Sequence, residues 1–176
     1  MDQTAGMDID QQLGKGGNAV NIQPMKEIDW QKKKDFFATC WETNEMHVNN
    51  QTYVLPELEG FCVQEEGVLV AAITYTYEGS IGLIVSLDSI IEKHGHASHL
   101  LMHTEEYLKK AGVEDLRVVI TNENEYALRF YRRRGFQLAS VHVDAARRAR
   151  EDKPSIPLVG VNGITIRDEW HLRKWL

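Results

Sequence analysis

The chain has 176 residues, 43% of them hydrophobic, with 26 acidic against 20 basic side chains and a formal net charge of −6. That length suits one domain with a sizeable core, and the acidic balance excludes a general nucleic-acid or membrane-surface binder, which would carry net positive charge. No apolar run approaches the roughly 20 residues of a membrane span, and the start lacks a basic-then-apolar signal segment, so a cytoplasmic protein is expected.

Residues 1–20 are rich in Asp, Gln and Gly without apolar periodicity and read as a flexible leader. The GKGGN cluster inside them is not a phosphate loop, because no strand precedes it and no G-K-[ST] follows. Structure is expected to begin at Asn21 with a short strand, NIQPM. Asp29 then caps a helix carrying Trp30, Phe36, Phe37, Cys40 and Trp41 at helical spacing among lysines. Cys40 and Cys62, without C-x-x-C spacing, read as reduced core thiols. Met46–Glu59 has no clear periodicity and contains Pro56, which predicts a loop or short helix. Phe61–Gln64 and Val68–Tyr77 read as a hairpin turning at Glu65, Glu66 and Gly67.

After a turn at Glu78–Ser80 comes an apolar strand through Leu83, Ile84, Val85 and Leu87. Gly95 opens a helix with Leu100, Leu101, Thr104, Leu108 and Ala111 on one face, and Gly112 closes it. Leu116–Thr121 predicts a buried strand. Asn122 or Asn124 caps the next helix, which carries Ala127, Leu128, Phe130 and Tyr131 and stops at Gly135. A strand over Gln137–Val143 and a helical stretch over Asp144–Asp152 follow. The apolar residues of the end, Trp170, Leu172, Trp175 and Leu176, are irregularly spaced and predict a segment ordered by packing. Strands alternating with helices indicate a mixed α/β architecture.

The turn KHGHAS places two small residues, Gly95 and Ala97, where backbone N–H groups at a helix N-terminus can approach a ligand closely, which suits a pyrophosphate. His96, His99 and His103 share one flank of that helix. His99 and His103 are spaced to share a metal, but nothing completes a ligand set, so a solvated or partner-facing flank is expected. Arg132, Arg133 and Arg134 read as a solvated helix end suited to the dipole or, alternatively, as a means of attracting a polyanionic ligand.

The segment NEYALRFYRRRGF, Asn124–Phe136, resembles the N-x-x-A-x-x-[FL]-Y-x-x-x-G-F signature of the GNAT acetyltransferase superfamily, with Asn124, Ala127, Phe130, Tyr131, Gly135 and Phe136 in register. EKHGHA, Glu92–Ala97, is similar to that family's [RQ]-x-x-G-x-[GA] pyrophosphate loop, and SLDS, Ser86–Ser89, to its central strand. Glu92 departs from the usual Arg or Gln, and Ile81, Gly82 and Leu83 lack the carboxylate many members carry near the start of that strand.

The resemblance implies a single domain over residues 21–176, an α+β fold with a twisted, mixed but mostly antiparallel sheet flanked by helices, its central strand splayed from a neighbour. It implies acetyl-CoA as cosubstrate, held by Leu87, Ser89, His94, Gly95, His96, Ala97, Ser98, His99, Asn124, Ala127 and Tyr131. Tyr131 occupies the general-acid position. The general base comes from Asp88, Glu57, Glu59 and Glu123, with Asp88 placed first, or else the proton leaves through water. His47, Tyr53, Glu57 and Glu59 fall in the region that forms part of the acceptor pocket. The activity implied is transfer of an acetyl group to a primary amine of a small molecule or protein, with no nucleic acid or membrane partner and a homodimer compatible with the sequence. A non-catalytic acyl-CoA-binding module is the second reading, and an interaction domain using the arginine clusters and tail the third.

Overall fold

The near-continuous apolar run at Val68–Glu78 makes the long strand β5, and its alternation sorts the core into two halves. Ala71, Ile73 and Tyr75 point into one cluster, while Ala72 points into the other. The computed structural model describes residues 20–91 and 94–176. The expected leader therefore lies outside the described residues except for Val20, as do Glu92 and Lys93.

In chain order the elements are β1 (Ile22–Pro24), α1 (Trp30–Trp41), β2 (Glu45–Val48), β3 (Gln51–Val54), β4 (Glu59–Glu65), β5, β6 (Ile81–Ser89), α2 (His96–Lys110), β7 (Asp115–Thr121), α3 (Glu125–Arg132), β8 (Gln137–His142), α4 (Ala145–Asp152) and β9 (Glu169–Trp175). Seven strands form one sheet in the order β1-β4-β5-β6-β7-β9-β8. Among the described residues, only β6 and β7 run parallel. The helix α2 links them, as a parallel crossover requires. The expected mixed, mostly antiparallel sheet flanked by helices is the fold observed.

Local chemistry explains most boundaries. Asp29 accepts hydrogen bonds from the N–H groups of Gln31 and Lys32 at 2.9 and 3.2 Å and starts α1. Glu66 and Gly67, with φ of 50° and 80°, turn β4 into β5. Leu100, Leu101, Thr104 and Leu108 of α2 are buried as expected, whereas Ala111 is its exposed C-cap. Leu100, Leu101 and Leu108 pack with Ile84, Val118, Tyr131, Phe136 and Leu172 on one face of the sheet. Phe36 and Phe37 of α1 pack with Leu55, Ala72 and Val85 on the other.

Two expectations are corrected. Within Met46–Glu59, the expected short helix is a 3-10 turn at Leu55–Glu57, while the residues before it form the hairpin β2–β3 rather than a loop. Asn49 and Asn50 both adopt left-handed backbone, with φ of 53° and 60°, so this asparagine pair supplies the turn that Gly would ordinarily provide. The C-terminal end is a strand, β9, inserted between β7 and β8. Its Trp170 and Leu172 alternate inward, and Arg173 donates to the buried Asp115 at 3.1 and 2.9 Å, stitching it to β7.

Leu172 is fully buried, and its register partner Leu138 is 48% exposed. Leu172→Ala is expected to destabilise the fold by about 2–5 kcal/mol, and Leu138→Ala by less than about 1 kcal/mol. Urea unfolding of the two variants checks this.

Candidate functional site

The pairing of β6 with β7 covers only Ile81–Ile84 against Asp115–Val118. Beyond it, β6 continues to Ser89 alongside β5, while β7 continues to Thr121 alongside β9. The two strands splay where β6 carries an irregularity: Thr74 pairs with Ser86 and Tyr75 with Ile84, leaving Val85 as an extra residue. From Val85 to Ser89, the backbone groups that face β7 have no strand partner among the described residues. Leu87 and Ser89, two expected cofactor contacts, lie on this stretch. Leu87 packs against the core, and the Ser89 hydroxyl donates to the Ile91 carbonyl at 2.8 Å.

At the end of the same strand stands the N-terminus of α2. Its N-cap, Gly95, is exposed, has φ of 74°, and supplies no side-chain cap. A Cβ there would sit 3.5 Å from the His99 ring and force a side chain into left-handed backbone. The N–H groups of Ser98 and His99 donate to the Gly95 carbonyl at 3.0 and 3.1 Å, which leaves Gly95, His96 and Ala97 as the donors suited to an anion.

Arg134 reaches this turn from the end of α3. Its guanidinium lies 3.6 Å over the Phe130 ring, donates to the Phe130 carbonyl at 2.9 Å and bonds the Ser98 hydroxyl. Burial lowers its pKa. Of the arginine run, Arg132 and Arg133 are exposed, whereas Arg134 is partly buried at the mouth of the split. Periodicity did not separate it from its neighbours.

Of the histidine flank, His96 departs from the expected solvated setting, whereas His103 is exposed. His96 is buried, with Nε2 3.0 Å from Glu65 Oε1. His103 meets Phe61 edge-on at 4.5 Å, and His99 Nδ1 lies 3.0 Å from the Gly95 carbonyl. His94 is exposed beside Glu65, at 3.9 Å. Among the described residues, no third His, Cys, Asp or Glu joins His99 and His103 in a ligand group. Glu92 lies outside the described residues.

The two groups expected to move protons approach from opposite sides of the sheet. Asp88 pairs in register with Ala72, so it points to the α1 face. Its carboxyl is pushed up to about 6 by burial, against which the Trp41 indole and Ser86 hydroxyl act. Its Oδ2 is buried with no hydrogen-bond partner among the described residues. Tyr131 comes from α3 on the other face, packed edge-on to Phe130 and Phe136. Burial and then the Asp88 charge push its phenol further above the usual range, while Arg134 pulls the other way. The Asp88 charge also raises Cys40, which burial first pushes up, to about 12. Cys40 and Cys62 are both free thiols.

The remaining expected residues are less central. Asn124 Oδ1 accepts the Ala127 N–H at 3.0 Å, so both serve the α3 cap while the Asn124 amide NH₂ stays available. Glu57 and Glu59 are exposed. Glu123 Oε1 accepts from the Thr121 hydroxyl at 2.9 Å. His47 and Tyr53 make contacts within the β2–β3 hairpin, to Thr52 at 3.1 Å and Gln51 at 3.0 Å. Trp41 was read from sequence only as a core aromatic; its place at the end of α1 gives it a polar task beside Asp88.

The chain is 43% identical over 149 residues to the uncharacterised protein YdhI of Bacillus subtilis (strain 168), covering 84% of this chain and 93% of that one. Among solved structures, an acetyltransferase of Bacillus subtilis in complex with CoA superposes with a TM-score of 0.66 at 18% identity, covering 89% of this chain and 99% of the other. A GNAT family acetyltransferase from Elizabethkingia anophelis with acetyl-CoA bound gives 0.63 at 14% identity, covering 91% and 100%. The sequence model of the acetyltransferase (GNAT) family matches residues 22–136, which span β1, the split β6–β7 pair, α2 and the Tyr131 helix. The chain belongs to the GNAT acetyltransferase family.

Proposed function

We propose that the chain transfers an acetyl group from acetyl-CoA to a primary amine of a small molecule or protein. The observation that carries this reading is the split between β6 and β7, with the unpaired edge of β6 from Val85 to Ser89 on one side and the N-terminus of α2, without a side-chain cap, at the end of that strand. The CoA and acetyl-CoA bound in the two structural neighbours support the same choice of cosubstrate.

The residues fit that group. The N–H donors of Gly95, His96 and Ala97, with the helix dipole and the Arg134 cation, suit a pyrophosphate. The unpaired edge of β6 from Val85 to Ser89 suits the amide-bearing arm that follows it. Asp88 takes the proton from the attacking amine, and a carboxyl titrating near 6 is ionised at neutral pH yet basic enough to accept it. Backbone N–H groups along the split donate to the oxyanion as the nitrogen–carbon bond forms. Tyr131, kept protonated by its surroundings, gives its proton to the thiolate as the carbon–sulfur bond breaks. Solvent then restores the phenol and removes the proton from Asp88.

Two outcomes are expected, both readable with CoA calorimetry and a thiol-release assay over a panel of amines. With Gly95 and Ala97 both replaced by Leu, CoA binding is expected to weaken at least tenfold, because the side chains occupy the anion's place. Tyr131→Phe is expected to lower kcat about 10²-fold with the CoA Kd unchanged. If turnover survives in full, the acid role fails; if the chain binds CoA but releases no thiol with any amine, it is a binding module instead.

Asp88→Asn has two expected effects. Wild-type kcat/KM should rise with pH through about 6 and then level, and the variant should lose about 10²-fold in rate together with that limb. The Asp88 carboxyl is raised in the folded state, so its stabilising contribution is complete below about pH 4 and is lost as pH rises through about 6. The neutral amide escapes this loss, and the variant should unfold about 1–3 kcal/mol less readily than wild type at pH 8. Equal stability at pH 8 would contradict the burial of a charged Asp88.

A further inference from the structure

Outside the split, the β4–β5 turn meets the start of α2, and three side chains converge there. Glu65, His94 and His96 each offer a ligand atom within 4.8 Å of the other two. His96 Nε2 is 3.0 Å from Glu65 Oε1, and His94 Nδ1 is 3.9 Å from the same oxygen. The two imidazole centroids are 5.6 Å apart. The left-handed Gly95 between the histidines lets both rings face one carboxylate. His96 is buried, which fixes one ligand, while His94 and Glu65 are 55% and 41% exposed and leave an ion a way in.

We propose that Glu65, His94 and His96 form a zinc site with its fourth position open. Three donors on a tetrahedral zinc at its usual bond lengths stand about 3.3 Å apart, so the observed separations need only a small closure of the exposed His94 and Glu65 side chains. Two imidazoles and one carboxylate suit a borderline ion such as zinc, and they lack the oxygen shell that calcium or magnesium requires. His96 Nδ1 is buried without a hydrogen-bond partner among the described residues. With no acceptor to orient that ring from behind, affinity should fall roughly 10–100-fold below a site whose outer shell is complete.

The bound ion ties the β4–β5 turn to the first turn of α2. It therefore clamps the backbone that presents the Gly95, His96 and Ala97 N–H groups. This site stands whether or not the chain transfers acetyl groups.

The test uses the full chain, freed of metal with a chelator, titrated with zinc against a chromophoric competitor, and melted with and without a small excess of zinc. One zinc per chain and a higher Tm are expected. Glu65→Gln and His94→Ala, both at exposed side chains, should each weaken zinc at least tenfold and remove the Tm shift. His47→Ala, on β2, should leave both unchanged. No saturable zinc binding in the full chain, or unchanged affinity in either cluster variant, would overturn the proposal.

Discussion

The site depends on one interrupted interaction: the parallel pairing of β6 with β7 ends at Ile84 and Val118. A sheet normally satisfies every central backbone group, and unpaired groups inside a protein are costly. Here the extra residue Val85 changes the twist of β6, and the strands diverge. The core tolerates the gap because each strand keeps its other neighbour: β5 holds β6 to Ser89, and β9 holds β7 to Thr121. The C-terminal strand is thus part of what keeps the split open. Its hold on β7 is reinforced by the buried Asp115, which accepts from both Arg117 and Arg173.

Around the split, the two faces of the sheet carry different chemistry. The face under α2 and α3 brings backbone donors, Arg134 and a phenol, groups that attract anions or give protons. The face under α1 brings Asp88, a carboxyl held near 6 by burial and flanked by Trp41 and Ser86. Asp88 and Tyr131, to which the proposed transfer assigns removal and supply of a proton, thus stand on opposite faces of the sheet. Burial raises the Asp88 pKa, so ionisation of this carboxyl at neutral pH opposes folding.

Much of this was legible in the sequence. The Asp29 and Asn124 caps, the Gly95, Gly112 and Gly135 turns and the Tyr131 helix follow from local rules, because each depends on residues only a few positions apart. The candidate site was legible to the extent that its parts lie in Ser86–Ser89 and in the segment Gly95–Phe136 that follows it closely in the chain. What escaped depended on distant partners. The strand character of Glu169–Trp175 is fixed by the gap between β7 and β8, not by its own irregular apolar spacing. His96 looked like a solvated flank because its partner, Glu65, lies in a different hairpin. Arg134 and Trp41 acquired their polar roles only when the ends of α3 and α1 were brought to the split. The β2–β3 hairpin was a local miss, since the Asn49–Asn50 pair did carry the turn signal.

A crystal structure of the chain with CoA tests the central claim most directly. The account predicts the pyrophosphate within hydrogen-bond distance of the His96 and Ala97 N–H groups, the extended arm along Val85–Ser89, and the sulfur between Asp88 and Tyr131. CoA seated elsewhere, with the α2 N-terminus free of phosphate, would contradict it.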